Sequence, residues 1–470
     1  MQTVTITPAY ENQLLSDAMR AAGVPCPLPC GGRGKCGNCK VAVENADGTF
    51  TYRLACQWRI REPAKVLPPF HLYKPPEERA AVTAASGTSM PFGLAIDIGT
   101  TTVSALLVAE DGTIIDDCHA LNAQSHFGAD VLSRIHAAAA ALQPLQTAIL
   151  SQLRGMKQSL AAPYSLPCVI TGNTTMLHML CGLDPTPLGQ APFTPRSRFG
   201  RDWKCDGLSP AIYLPPCICA FVGADITCGM LSCGFGQTDE TLLLADVGTN
   251  GELVLQHDGK IYCCSTAAGP AFEGAEISRG MPAVSGAICK VYQGRESINF
   301  AVVNDARPMG ICGTGLLSAL RVFLDRGELD ESGYIENDSL PIGRSGISVT
   351  QADIRKLQLV KASICAGIET LLHEAGITAA DVDKTLLAGG FGTSLDPADA
   401  AAIGMIPAEL ASKAIGVGNT ALQGAVTLLC HPERKAAIQT LAAAAREIPL
   451  ATHPVFGEAF IDRMAFGLAS

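Results

Sequence analysis

The chain has 470 residues, 48% hydrophobic and 17% charged, with 19 cysteines and a net charge of −10. That length supports two or three domains with a large core, and the composition excludes a disordered chain. The acidic balance argues against nucleic acid as the main partner. The first residues lack a basic-then-apolar leader, and the apolar run from Ala211 to Gly236 is broken by Pro215, Pro216 and Asp225. No membrane span is therefore expected, and a cytoplasmic protein is the default.

The first predicted elements form a small head, residues 1–66. "QTVTIT" alternates like a strand, "NQLLSDAMRAAG" reads as an amphipathic helix stopped by Gly23, and "CKVAVENADGTFTYRLAC" reads as a hairpin turning at Asp47-Gly48. Between helix and hairpin lies "PCGGRGKCGNCK". Cys30, Cys36, Cys39 and Cys56 are spaced C-x5-C-x2-C-x16-C. Four thiolates hold a [2Fe–2S] cluster, and three on one loop require the backbone to wrap tightly around it. Gly31, Gly32, Gly34 and Gly37 allow that wrapping and leave amide N–H groups facing the sulfurs. The pattern resembles the ferredoxin fold, in the adrenodoxin-like spacing. Zinc is the competing occupant, but its second C-x2-C knuckle is missing. Cys26 reads as structural or incidental. Met1 to Val66 carries eight Lys/Arg against five Asp/Glu. This mildly basic head suits docking on acidic partners or on the chain's own acidic body, with a chance imbalance as the plain alternative.

Residues 67–91, rich in Pro and then in Ala, Ser, Gly and Thr, read as a linker, either a tether or an ordered strap. The body follows, as a first lobe over 92–240 and a second over 241–470. "FGLAIDIGTTTVSALLVAEDG" is a strand ending in Asp97, a turn at Gly99-Thr100-Thr101-Thr102, and a second strand. The turn offers N–H groups and hydroxyls to an anion, and Asp97 faces a divalent cation directly or through water. "TLLLADVGTNGELVLQHDG" repeats this with Asp246 and Gly248-Thr249-Asn250-Gly251. Two copies in matching contexts imply a duplicated domain closing on one phosphate chain. "CVITGNTTMLHMLCG" reads as strand, turn and helix, with Asn173 and Thr174 at the turn. "GICGTGLLSAL" puts Gly313, Thr314 and Gly315 at a helix start, either a phosphate or ribose cradle or a packing turn. In "LLAGGFGTSLD" the turn at Gly389, Gly390 and Phe391 lets a flat base and ribose approach. "GNTALQGAVTLL" is a helix with a small-residue face suited to a close crossing.

The order of these segments resembles the actin, sugar-kinase and heat-shock-chaperone (ASKHA) ATPases over most of residues 92–430. That resemblance implies an α/β two-lobed ATPase body behind an α+β ferredoxin-like head. It implies roles too: Asp97 and Asp246 orient Mg²⁺ or the attacking water; Gly99, Thr100, Thr101, Gly248, Thr249 and Asn250 hold the phosphates of ATP; Gly389, Gly390 and Phe391 border the adenosine; Asn173 and Thr174 belong to the hinge or cleft. For the aspartates the bland alternative is simple turn chemistry at a strand end.

The pairing of head and body resembles the reductive activators of corrinoid-dependent enzymes, with "AGPAFEGAEISRG", "ITGNTTMLH", "FVGADITCGML" and "LAGGFG" as the matching text. That resemblance implies ATP-driven transfer of one electron from the cluster to Co(II) of a partner corrinoid protein in a methyltransferase system. Co(I) is thereby regenerated. It also implies an electron donor and leaves a second copy of the chain as a candidate partner. Some relatives carry a further domain between head and body, where this chain has room only for a short linker, so a role of that domain such as dimerisation is not carried over. Plant-type [2Fe–2S] clusters sit near about −400 mV. Moving one charge against about 100 mV costs roughly 2.3 kcal/mol, so a cobalt couple below the cluster needs a driving force. No D-x-H-x-x-G corrinoid motif occurs, since Asp117-Cys118-His119 continues with Ala-Leu-Asn, so the corrinoid belongs to a partner.

Three rival readings remain. One is a small-molecule kinase of the same fold with a redox-sensing head. Another is an activator of 2-hydroxyacyl-CoA dehydratases, whose relatives lack such a head. The last is an electron carrier with a decayed ATPase, against which both Asp-Gly-Thr turns speak. Cys217 and Cys219, one residue apart without further close ligands, make a poor metal set, and the other cysteines read as small buried hydrophobes.

Overall fold

The computed structural model describes residues 4–6, 12–21, 39–44, 50–61, 64–67, 90–248, 250–274, 276–295, 297–389 and 395–467. The sequence-predicted linker lies almost wholly outside the described residues, as does the Asp47-Gly48 turn. The head contains β1 (Val4–Ile6), α1 (Leu15–Ala21), β2 (Lys40–Glu44), β3 (Phe50–Leu54) and β4 (Ala64–Leu67). The sheet order is β1-β4-β2-β3. The predicted hairpin is present, with Lys40 opposite Leu54 and Glu44 opposite Phe50. Helix α1 buries Leu15, Ala18 and Met19 at helical spacing, against Val41, Val43, Ile60 and Val66.

The body opens with a meander, β5 (Pro91–Ile98), β6 (Thr102–Ala109) and β7 (Ile114–Leu121). Next come α2 (Val131–Ser159), β8 (Cys168–Gly172), α3 (Thr174–Leu180), β9 (Phe199–Cys205), β10 (Ser209–Pro216) and α4 (Ala224–Ser232). Helix α2 starts on a reciprocal cap between Asp130 and Ser133 and kinks at Ala141, three residues before Pro144. A second meander follows, β11 (Leu242–Val247), β12 (Gly251–His257) and β13 (Lys260–Thr266).

Beside the second meander stand β14 (Ala287–Gln293), β15 (Ile298–Val302), β16 (Gly310–Ile311) and α5 (Gly313–Asp325). A small pair, β17 (Ser339–Pro341) and β18 (Ser348–Thr350), leads into α6 (Gln351–Ala375). The chain closes with β19 (Lys384–Ala388), α7 (Pro397–Ala402), α8 (Ala408–Ala411), β20 (Ala414–Gly418), α9 (Thr420–Cys430), α10 (Lys435–Ala444), β21 (Ala445–Glu447) and α11 (Pro454–Asp462).

The two large sheets repeat one topology. The first runs β7-β6-β5-β8-β10-β9, and the second, read in the same sense, runs β21-β13-β12-β11-β19-β20. In each, an antiparallel meander is followed by two strands parallel to the meander's first strand. The duplication expected from the two acidic turns is therefore present in the fold.

Strand alternation sorts the side chains into layers. On β5, Leu94, Ile96 and Ile98 join an outer core with Ile149 and Leu153 of α2. On β11, Leu243, Ala245 and Val247 join the other outer core with Ile364 and Ile368 of α6. The opposite parity, Ala95 on β5 and Leu242 and Leu244 on β11, enters a shared middle layer with α4, α9 and α10. Asp97 and Asp246 have that inward parity. They therefore stand at the ends of two central strands on the faces turned toward each other.

Helices α4 and α9 meet backbone to backbone in the middle layer. A Cβ on Gly424 would lie 2.2 Å from the Cys228 carbonyl oxygen, and one on Gly229 would lie 2.9 Å from Thr420 Oγ1. The small-residue face of α9 is used as its sequence suggests, and its partner is α4.

Candidate functional site: an acidic cleft between repeated turns and a thiol pair in the head

Four carboxylates gather where the central strands end. Asp97 on β5 accepts a hydrogen bond from Asn419 Nδ2 at 3.3 Å. Asn419 also caps α9, accepting from the Leu422 amide at 2.9 Å. Asp225 lies in the first turn of α4, while Asp246 and Glu252 flank the second acidic turn. All four are half-buried, deep in the protein with an edge left to solvent.

Burial raises the proton affinity of all four, and repulsion between carboxylates adds to it for Asp97, Asp225 and Glu252. Asp97 is pushed up to about 7, chiefly by burial, with Asn419 opposing and the Asp246 charge adding. Asp225 is pushed up to about 8 by burial and by the charges of Asp97 and Asp246. Asp246 is pushed up to about 6 by burial. Glu252 rises well above the carboxylate range through burial and the charges of Asp225 and Asp246, against a bond from Asn250. Such a set is at odds with itself until a cation enters. Hard oxygen donors crowded at strand ends fit Mg²⁺, which takes few protein carboxylates and keeps phosphate oxygens and waters.

The first turn is tight. The Gly99 amide donates to the Thr102 carbonyl at 3.0 Å, and a Cβ on Gly99 would lie 2.7 Å from that same oxygen. Thr100 is buried, and its hydroxyl accepts from Asn173 Nδ2 at 3.0 Å. Thr101 is exposed, and its carbonyl accepts from the Asn122 amide at 2.9 Å. In the second turn the Gly248 amide donates to the Asn250 carbonyl at 2.9 Å, a shorter version of the same closure. Thr249 lies outside the described residues. Gly389 has a φ of +84°, and a Cβ there would lie 2.7 Å from Asp246 Oδ1 and 3.0 Å from the Val247 carbonyl. Gly389, directly after β19, therefore rests on the second acidic turn, and only glycine permits that approach. Gly390 and Phe391 lie outside the described residues.

Other sequence candidates separate. Asn173 belongs with the first turn: it caps α3 through the Met176 amide at 2.9 Å, and a Cβ on Gly223 would lie 2.5 Å from its Cα. Thr174 is buried with its hydroxyl on the Cys219 carbonyl at 2.7 Å, a core contact. Gly313, Thr314 and Gly315 open α5. The Thr314 hydroxyl donates to the Cys289 carbonyl at 3.0 Å, and a Cβ on Gly315 would lie 2.2 Å from the Ile288 carbonyl. These contacts fit the packing-turn alternative against β14. Cys217 and Cys219 are buried in the body's core, and burial pushes both thiols up, Cys219 to about 12.

Sequence reasoning missed Asp225, Glu252 and Asn419. An acidic residue two positions after Gly223, opening a helix, was the available signal for Asp225. Asn419 preceding a helix reads only as a cap.

In the head, Cys39 and Cys56 are both buried, and their sulfurs lie 3.3 Å apart, well beyond a disulfide bond. Gln57 Nε2 points at the Cys56 sulfur from 3.8 Å. Two thiols brought from loop and strand end to one point fit an iron–sulfur cluster. Cys30, Cys36 and Cys26 lie outside the described residues.

A ferredoxin-like head followed by a duplicated two-lobed α/β body defines an ASKHA-type ATPase fused to an iron–sulfur domain. Family models match it in three consecutive parts: a 2Fe-2S iron-sulfur cluster binding domain over residues 2–61, the RACo middle region over 92–238, and the C-terminal domain of RACo, the ASKHA domain, over 240–469. The chain belongs to the RACo family. It is similar to the corrinoid activation enzyme RamQ of Eubacterium limosum, 27% identical across 97% of each chain. It is 30% identical to the [Co(II) methylated amine-specific corrinoid protein] reductase of Methanosarcina barkeri, over 54% of this chain and 51% of that one. The solved structure of a reductive activator for a corrinoid, iron–sulfur protein superposes with a TM-score of 0.73 at 27% identity, covering 97% of this chain and 96% of that one.

Proposed function

We propose that the chain is an ATP-dependent reductive activator that passes one electron from its head to Co(II) of a partner corrinoid protein, regenerating Co(I) for methyl transfer. The observation that carries this reading is the union, in one RACo-family chain, of converging buried thiols with a cleft of four carboxylates raised by burial. A [2Fe–2S] cluster on Cys30, Cys36, Cys39 and Cys56 supplies the one-electron store. Cys39 and Cys56 are buried in the head's core with Leu15, Val41 and Ile60. Gln57 adds a donor toward one sulfur.

In the body, Asp97 and Asp246 take the cation or orient the attacking water, with Asp225 and Glu252 completing the acidic wall. Gly99, Thr100 and Thr101 meet the phosphates from one side, and Gly248, Thr249 and Asn250 from the other. Gly389, Gly390 and Phe391 border the adenosine. Helices α4 and α9 lie between the two sheets, so a change in cleft opening moves Asp225 and the Asn419–Asp97 contact together. Binding one state of the partner more tightly in the nucleotide-closed form makes electron transfer depend on ATP, and hydrolysis resets it.

The working division is a head over 1–66, a linker over 67–91 and lobes over 92–240 and 241–470. We place the protein in the cytoplasm; among the described residues no helix is long and apolar enough to cross a membrane. A separate electron donor and a second copy of the chain complete the proposed partners.

The test is anaerobic. Reduced protein is mixed with Co(II) corrinoid proteins with and without Mg-ATP, and Co(I) absorbance is followed. Co(I) appearing only with nucleotide supports the reading. Absence of Co(I) with every candidate, together with phosphorylation of a metabolite, replaces it with the kinase.

A further inference from the structure

Arg134, in the first turn of α2, is wholly buried, and among the described residues no carboxylate lies within ion-pair distance of it. Burial holds its proton affinity down at about 10, with Asp130 opposing, so it stays charged at neutral pH. A buried unpaired charge is retained only where its contacts repay desolvation. One of those contacts reaches into the first acidic turn, and the other two hold the guanidinium against the approach to α2 and against α3. Nη2 donates to the Thr100 carbonyl at 2.6 Å, Nε to the Gly128 carbonyl at 2.9 Å, and Nη1 meets Met176 Sδ at 3.3 Å. Asn122 Nδ2 holds the preceding carbonyl, Gly99, at 2.8 Å.

Peptide geometry gives these bonds a consequence. In a trans peptide the N–H points opposite to the C=O. With the Thr100 carbonyl drawn into α2, the Thr101 N–H is directed away from α2. With the Gly99 carbonyl drawn to Asn122, the Thr100 N–H is directed away from Asn122. Successive backbone amides oriented by pinned carbonyls make an anion-binding edge. Electrostatics points the same way. The cleft carries four carboxylates, which repel a nucleotide's phosphates, and a cation held in no ion pair, with only the Asp130 charge acting on it, adds positive field on the phosphate side.

We propose that Arg134 is a positioning residue of the nucleotide site, fixing the Gly99–Thr102 turn with its amide edge toward phosphate and supplying positive charge behind it. The proposal rests on the nucleotide reading above. It concerns phosphate alone, and that separates it from a general structural role.

The experiment uses the full chain with its cluster loaded. Calorimetry measures MgATP, MgADP and adenosine binding to wild type, R134M and R134K. In R134M, MgATP and MgADP affinity falls by about tenfold or more, the loss expected for a hydrogen bond from a charged donor, while adenosine affinity stays within about twofold. R134K, which keeps the charge and loses the fork, falls between. MgATP affinity within about twofold of wild type in R134M, or an equal loss for adenosine, overturns the assignment. If R134M is recovered unfolded, R134K carries the test by the same ratio of MgATP to adenosine loss. Wild-type protein with no affinity for MgATP sinks the nucleotide reading itself; wild type that binds while R134M binds equally sinks only the role of Arg134.

Discussion

The crossing of α4 and α9 makes a sharp demand on Gly424. A Cβ at this position would lie 2.2 Å from the Cys228 carbonyl oxygen, 2.5 Å from its carbon and 2.6 Å from its Cα. These are backbone atoms of a buried helix, so no side chain can swing aside, and the two helices must separate. Overpacking of this kind costs about 1–3 kcal/mol, and a backbone clash belongs at the upper end. Alanine returns up to about 1 kcal/mol of helix propensity, so G424A should lose a net of about 2 kcal/mol. For a body spanning residues 92–470 that lowers the thermal midpoint by about 2–3 °C. Gly155 in α2 supplies the control. It is exposed, and a Cβ added there would meet nothing within 4 Å, so G155A keeps the propensity gain alone and raises the midpoint by about 1 °C. Thermal unfolding of the two variants in parallel is the assay, with nucleotide affinity measured beside it. Separation of the helices displaces Asp225 and Asn419 together, so G424A also weakens MgATP binding while G155A does not. A G424A midpoint equal to or above wild type would refute the backbone-to-backbone crossing and the coupling built on it.

Magnesium binding should strengthen as pH rises from about 6 to 8, because Asp97, Asp225 and Asp246 hold protons up to about 7, 8 and 6 that the ion must displace. Calorimetry in buffers of different ionisation enthalpy reads the released protons, and their absence contradicts the raised carboxylates. Stability of the nucleotide-free protein runs the other way. The folded state keeps protons that the unfolded chain gives up near 3.8, so its thermal midpoint falls as pH climbs from about 4 toward 8. D225N removes the carboxylate charge that helps push Glu252 up, so the pH midpoint for magnesium binding shifts down; an unmoved midpoint removes Asp225 from the site. C39S and C56S should each abolish the visible absorbance and iron content of the head while leaving MgATP affinity within about twofold, since neither serine supplies a thiolate. Full iron content in either variant strikes that cysteine from the ligand set.

What could be read along the chain was whatever short-range spacing encodes. The hairpin from Lys40 to Leu54 follows from alternation around a turn pair. Asp97 and Asp246 follow from two strands ending in acidic glycine turns, and the inward parity of both residues is the two-residue period of a strand. The cysteine spacing places thiols in number and order, and the meeting of Cys39 with Cys56 across 17 positions is a hairpin's return. The rest depends on juxtapositions with no local trace. Asn419 reaches Asp97 across 322 positions, and Arg134 reaches Thr100 across 34. On a helix read alone, "SRIHAAAA" offers an arginine indistinguishable from a solvated one. Only the packing of α2 onto the end of the first hairpin buries it. The same applies to helix pairing: glycine on α9 signals a close approach without naming the partner, and α3 and α4 both follow strands of the first sheet. The choice falls to α4 because Gly229 offers a matching gap, and because α4 lies in the middle layer while α3 packs in the outer core. The proposed cleft thus draws on pairs far apart in sequence, such as Asn419 with Asp97, that the fold brings together. Variants of Asn419 and Asp225 should accordingly perturb the cleft as strongly as variants within the two glycine turns.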